Sequence, residues 1–317
     1  MRQSNNGKDN WIRIKLSAPP ELADALSNFL TEAGAQGVFQ ENSVSPFAEQ
    51  LLEQPPEVSP RETLQAFIPD DAQAEDRIAS ITDYLKNLAD LFPELEPAGL
   101  AVEMVSDPGW GEEWKKYFKP FRVGRSIIIK PTWERHVSRN GDTVIEIDPG
   151  MAFGTGQHAS TLMCLESIED ILGKDLSAGA NVLDVGTGTG ILGIAAARLG
   201  AKEVVCIDID EKAVEVAREN AAINNVAGRL DIRKSEPSAI SGLFSLIVAN
   251  ITSKPLIGMR DDFVSLLRFG GCLVISGIME QDKEELERHF LAAPFHLCRL
   301  RRKKEWLCYV LRKGVDS

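Results

Sequence analysis

The chain has five cysteines and four histidines in 317 residues. No two cysteines stand in C-x-x-C spacing, and the histidines are scattered, so no metal-ligand cluster is expected. Cys164, Cys206, Cys272, Cys298 and Cys308 sit mostly in apolar runs. They read as reduced core thiols, which suits a cytoplasmic, reducing compartment. No segment approaches the roughly 18 apolar residues that a membrane helix needs. The opening "MRQSNNGKDNW" has no apolar run, so neither a membrane span nor a secretory signal is expected. A basic excess is missing too. With 35 Lys and Arg against 47 Asp and Glu, the net charge is −12, the opposite of a nucleic-acid-binding footprint. Such a surface keeps a protein soluble and can steer a basic partner towards it.

The length predicts two domains, because single cores seldom grow past about 250 to 300 residues. The first hundred residues read as strand ("WIRIKLS"), helix ("PPELADALSNFLTEAG"), strand ("QGVFQE"), a Pro-rich connection, strand ("TLQAFIP"), helix ("AEDRIASITDYLKNLADLF") and strand ("GLAVEMVS"). Two such βαβ units predict a small α+β, ferredoxin-like sandwich over residues 1–104, with nothing in it that looks catalytic. In "DPGWGEEWKKYFKPF", Trp110, Trp114 and Phe118 recur at helical spacing. They predict a short linker helix over 105–120, packed on its neighbour or serving as an aromatic platform. "RSIIIKPTW" and "TVIEIDPG" read as a β-hairpin at the start of a second domain, 121–317.

From Asp175 onwards strands and helices alternate, as in a parallel, doubly wound α/β sheet. "DEKAVEVARENAAINN" reads as a helix capped by Asp210, and "KPLIGMRDDFVSLLR" as one helix. "PFHLCRLRRKKEWLCYVLRK" reads as a terminal hairpin whose "RRKK" tip is solvated or meets an acidic partner. Two glycine-rich runs interrupt the regular pattern: "IDPGMAFGTGQH" and, thirty-five residues on, "VLDVGTGTGILG".

The second run carries the chemistry. Gly186, Gly188 and Gly190 follow a buried strand and open a helix, where a chain without Cβ atoms lets a ligand approach the backbone. Asp208 ends the next strand, where a carboxylate can accept from ribose hydroxyls. The dinucleotide fingerprint is G-x-G-x-x-G. Here the third glycine falls one residue early, at 190, in the G-x-G-x-G spacing usual in S-adenosylmethionine-dependent methyltransferases. Asn250 ends another apolar strand and adds a polar group on the carboxyl edge of the sheet, where open α/β folds bind ligands.

The segments "DPGMAFGTGQHAST", "LDVGTGTGILGIAA", "IDIDEKAVEVARENAAINN" and "VANITSKPL" together resemble the PrmA family, the methyltransferases of ribosomal protein L-11. "DPGWGEEWKKYFKPFRVGRSIIIKPTW" and "EWLCYVLRK" extend the resemblance from about residue 105 to the end, with departures at Gln157, Ala159 and Ser160. The resemblance implies a Rossmann-like class I methyltransferase domain. Its cofactor is S-adenosylmethionine, enclosed between the two glycine loops. The implied reaction is methyl transfer to lysine side-chain and N-terminal amines of ribosomal protein L-11. It places Thr161 at the cofactor with Gly186, Gly188, Gly190, Asp208 and Asn250, and Phe153 with Asn250 at the reacting amine. His158 is expected to bond the loop rather than act as a base. Three other readings stay open: a related protein-lysine methyltransferase acting on a target such as electron transfer flavoprotein, a methyltransferase of a small-molecule amine, and a non-catalytic module that binds the cofactor. No metal, nucleic-acid or membrane contact is expected, and a monomer is.

Overall fold

A computed structural model of the chain describes residues 11–40, 61–93, 95–105, 115, 119–148, 158–175 and 179–314. Phe153 and the expected aromatic helix at Trp110, Trp114 and Phe118 lie outside the described residues. The chain divides into two compact units, with Lys119 in the first and Pro120 in the second.

The first unit is built from strict alternation. β1 (Trp11–Ala18) buries every second residue, so Ile12, Ile14, Leu16 and Ala18 share one face. α1 (Pro20–Glu32) sets Leu22, Leu26 and Leu30 at helical spacing against it. β2 (Gln36–Gln40) and β3 (Glu62–Pro69) follow, then α2 (Ala74–Leu91), which buries Ala74, Ile81, Leu85 and Leu88, and β4 (Gly99–Val105). The strands pair antiparallel in the order β2-β3-β1-β4, and the apolar residues form one cluster.

The second unit opens with β5 (Phe121–Val123), β6 (Ile127–Lys130) and β7 (Thr143–Glu146) in a three-stranded sheet. The hairpin expected of β6 and β7 does not form: β6 pairs antiparallel with β5 and parallel with β7. Residues 131–142 are long enough to carry the chain back to a parallel start, while the tight turn falls between β5 and β6. α3 (Ala159–Asp170) follows. Its Glu169 is buried and accepts from Arg125 N (2.7 Å), Ser126 N (2.6 Å) and Ser126 Oγ (2.6 Å), which clamps the helix to the β5–β6 turn.

The main sheet is β8 (Asn181–Val185), β9 (Glu203–Asp208), β10 (Leu230–Lys234), β11 (Phe244–Asn250), β12 (Leu267–Met279), β13 (Phe295–Lys303) and β14 (Trp306–Lys313). Their order is β10-β9-β8-β11-β12-β14-β13. The first five run parallel; β14 turns antiparallel between β12 and β13. α4 (Ile191–Arg198) and α5 (Glu211–Ile223) join α3 over one face, where Val182, Leu246 and Val248 point. α6 (Ser253–Gly258), α7 (Arg260–Leu266) and α8 (Lys283–Phe290) cover Leu183, Ile247 and Ala249 on the other. The single helix expected over "KPLIGMRDDFVSLLR" breaks at Met259, which ends α6 and precedes α7. The terminal hairpin turns at Lys304, in the left-handed region at φ 53°. Its "RRKK" is not simply a solvated tip. Arg301 binds Glu166 (2.8 Å) and Asp170 (2.8 Å) of α3, and Arg299 also reaches Asp170 (2.6 Å).

Candidate functional site

The glycine loop runs from the carboxyl end of β8 into α4. Gly186, Gly188 and Gly190 all have left-handed φ values (+71°, +54° and +80°), which residues with a Cβ rarely adopt. The loop is pinned from outside: Gly186 N and Thr187 N both donate to Ile207 O (2.9 and 3.0 Å), at the end of β9. Asn220 Nδ2 of α5 holds Thr189 O (2.8 Å).

Asp208 joins the loop directly. Its Oδ2 accepts from Gly188 N (3.0 Å) and its Oδ1 from Asp210 N (3.1 Å). Each oxygen keeps lone pairs for a further donor, and the two backbone bonds fix the direction in which it presents them. Asp210 caps α5 as expected, accepting from Lys212 N (3.0 Å).

A second carboxylate under the loop was not singled out from the sequence. Asp184 of β8 is fully buried; its Oδ2 accepts from Thr187 Oγ1 (2.7 Å) and Gly193 N (3.0 Å). Its Oδ1 is buried with no hydrogen-bond donor. Burial pushes this carboxyl up to about 6; the Asp208 charge adds to the rise, and the Thr187 and Gly193 bonds oppose it. The signal in the sequence was an acid inside the apolar run "NVLDVG".

Asn250 ends β11, the strand beside β8. Its Nδ2 donates to Thr161 Oγ1 of α3 (3.1 Å), and both residues are buried. Asn250 Oδ1 has no hydrogen-bond partner. The next residue, Ile251, fits where two glycines leave space. A Cβ on Gly186 would lie 2.6 Å from Ile251 Cγ2, and a Cβ on Gly277, at φ +83°, would lie 2.6 Å from Ile251 O. This close approach seats the Asn250–Ile251 corner against the start of the loop. Neither Ile251 nor Gly277 stood out in the sequence.

The structure thus joins Thr161 to Asn250, and Gly188 to Asp208, with Gly186 beside Ile251. His158 caps α3: its Nδ1 accepts from Ser160 N (3.3 Å) and lies 2.6 Å from Ser160 Oγ, while its ring meets Trp306 edge-on at 4.8 Å. The ring thus bonds the first turn of α3; the glycines of the run before it lie outside the described residues, so a bond to that loop stays an expectation. Among the described residues no group of His, Cys, Asp and Glu could hold a metal ion.

The residues present suit an S-adenosylmethionine molecule. Asp184 and Asp208 both bond the loop, the Asp208 charge acts on Asp184, and no Lys or Arg pairs with either among the described residues. Two carboxylates without a fixed cation favour a cationic ligand, and the sulfonium and ammonium groups of S-adenosylmethionine are cations. Asp208 can take ribose hydroxyls, the left-handed glycines give the backbone close approach, and Asn250 Oδ1 is an acceptor awaiting a donor.

Comparison with known proteins points the same way. Residues 10–314 match the family "Ribosomal protein L11 methyltransferase (PrmA)". A ribosomal protein L11 methyltransferase of Pelobacter propionicus is 37% identical over 309 residues, covering 97% of this chain and 99% of that one. The protein of the same name from Citrifermentans bemidjiense is 38% identical over 313 residues, covering 96% and 99%. The crystal structure of a ribosomal protein L11 methylase from Lactobacillus delbrueckii subsp. bulgaricus superimposes with a TM-score of 0.55 at 30% identity, covering 63% of this chain and all of that one. The chain belongs to the ribosomal protein L11 methyltransferase (PrmA) family.

Proposed function

We propose that this protein transfers methyl groups from S-adenosylmethionine to lysine side-chain and N-terminal amines of ribosomal protein L11. The observation that carries the reading is the coupling of Asp208 to Gly188 N beside an Asn250 whose Oδ1 lacks a donor. One side of the site is built to hold a nucleoside; the other offers a lone pair to an amine N–H. The second unit is a Rossmann-like class I methyltransferase domain over residues 121–317. The ferredoxin-like unit, residues 1–104, recognises the protein substrate, and 105–120 connects the two. The chain works as a monomer in the cytoplasm, without nucleic acid or membrane.

When bound, the sulfonium supplies the electrophilic methyl group. The chain then has only to bring a neutral amine into line with it. A lysine with an ordinary pKa near 10.4 must first lose a proton, which costs about 4.6 kcal/mol at pH 7. A desolvated site lowers that pKa, because burial penalises the ammonium. Asn250 Oδ1 accepts one N–H of the amine and so directs its lone pair, while Thr161 Oγ1 holds the amide in orientation through Nδ2. The resemblance assigns Phe153, outside the described residues, to the entry of the amine. Asp208 and the loop of Gly186, Gly188 and Gly190 would hold the S-adenosylmethionine, Asn250 would direct the amine lone pair at its methyl group, and the surplus amine proton would leave to solvent.

The test is incubation of the full chain with methyl-labelled S-adenosylmethionine and a mixture of ribosomal proteins. Label on the band of L11, removed by Asn250→Ala, is the expected result. Label on electron transfer flavoprotein alone would favour the related lysine methyltransferase, and label on small amines alone the small-molecule enzyme. Tight cofactor binding with no label on any amine would leave a binding module.

A further inference from the structure

The four-stranded and the seven-stranded sheets have very different edges at β4 and β13. β13, at the end of the main sheet, carries Arg299, Arg301, Arg302 and Lys303. Charges of this kind keep an edge strand from pairing with another chain. β4, at the end of the small sheet, reads "GLAVEMV" and has only Glu103, which accepts from Arg13 Nε (3.0 Å) on β1. Among the described residues no strand pairs with the outer side of β4. Its apolar residues continue the core face beyond the cover of the helices. Ile12 and Ile14 of β1 are buried, yet their register partners Met104 and Val102 are 62% and 41% exposed. Leu91, the last residue of α2, and Phe92, which follows it, are exposed as well.

This strand stands in an acidic unit. Eighteen Asp and Glu against seven Lys and Arg precede Val105, whereas 29 acids and 28 bases follow from it. Nearly the whole net charge of −12 therefore belongs to the first unit. Asp76, Asp83, Asp90 and Glu96 are among its exposed acids. A second copy of the chain would bring the same excess of negative charge, so self-pairing is opposed. A basic chain is drawn in.

We infer that the outer edge of β4 is where an extended, basic segment of the protein substrate adds as a fifth strand. This rests on the reading of the protein as a protein methyltransferase and names how it captures its target. Backbone bonds along Gly99–Val105 supply binding that depends little on sequence, and Val102 and Met104 meet alternate apolar side chains of the added strand. Capture through backbone bonds can present more than one amine of one target, because the register of the added strand is free to slide where the edge has few pockets.

The test uses the full-length chain with Val102→Lys and Met104→Lys together, which gives β4 the cationic guard that β13 has. Both sites are exposed, so the melting temperature and the cofactor Kd should not change. The KM for ribosomal protein L11 should rise about tenfold or more, with the rate on a short lysine peptide unaltered. In the unsubstituted protein, the amides of residues 99–105 should exchange at least about tenfold more slowly when L11 is added. An unchanged KM, or exchange in 99–105 that does not slow, would overturn strand addition, as would a dimer in sedimentation that the double substitution dissociates. If the unsubstituted protein methylates no ribosomal protein, the methyltransferase reading itself has failed, and the edge is not at issue.

Discussion

Replacing Asp184 by Asn should remove a pH dependence of stability that originates beneath the glycine loop. Asp184 is wholly buried and its carboxyl is pushed up from 3.8 to about 6. Between those values the folded chain holds a proton that the unfolded chain has lost. Stability therefore falls as pH rises through this window and stays low above it. A shift of about two units corresponds to about 3 kcal/mol in all, of which about 2 kcal/mol is lost between pH 4.5 and 7. Asparagine keeps an oxygen to accept from Thr187 Oγ1 and Gly193 N but cannot ionise. Its NH2 then replaces an oxygen that already lacks a donor, so the absolute stability at any one pH mixes two effects. The slope does not. Denaturant unfolding of the ligand-free protein and its variant across pH 4.5 to 7 isolates the Asp184 contribution, because every other titrating group is common to both. The variant should gain about 2 kcal/mol on the unsubstituted protein across that range. Parallel curves would refute the assignment of a buried Asp184 whose carboxyl is pushed up to about 6.

Asp208→Ala should weaken S-adenosylmethionine binding by about 1.5 to 3 kcal/mol, the range for a charged hydrogen bond, read by calorimetry; unchanged affinity would remove Asp208 from the site. Because Asp208 also accepts from Gly188 N and Asp210 N, the same variant should melt slightly lower. Glu169→Ala strips three bonds from the buried clamp between α3 and the β5–β6 turn and should cost about 3 kcal/mol or more. The measurement is urea unfolding; a loss below about 1 kcal/mol would mean that the helix is held in place by packing alone.

The site was legible where residue type alone dictates backbone behaviour. Gly186, Gly188 and Gly190 were readable because left-handed φ values demand glycine, and Asp208 because a carboxylate at a strand end has few structural uses. Asp184 escaped because a buried acid in "NVLDVG" looks like one polar letter in an apolar run. Its role appears only when Thr187 and Gly193 fold over it. Ile251 and Gly277 were invisible because their contact joins two strand ends that are distant in sequence. Among the elements, β10 leaves little trace in the sequence, since "LDIRK" buries only Ile232 in full and shows no apolar run. The parallel pairing of β6 and β7 could not be read because periodicity carries no strand direction. The break at Met259 was hidden by apolar spacing that continues from α6 into α7.

Methyl transfer from a sulfonium asks little chemistry of the protein, and the composition of the site follows from that. With activation already present in the cofactor, no group has to cleave a bond or carry a metal, so the residues at the centre are those that position. Asp208 is fixed by two backbone donors, Asn250 by Thr161, and the loop by Ile207 and Asn220. Each holds its neighbour more than it reacts. The cost falls on Asp184 and Asp208, whose like charges sit together without a cation among the described residues. A ligand that carries positive charge relieves that repulsion, whereas a neutral nucleoside of the same shape would not. Under the proposed function, the methyl-charged cofactor is therefore expected to bind more tightly than its neutral-sulfur product, which calorimetry with each ligand would check.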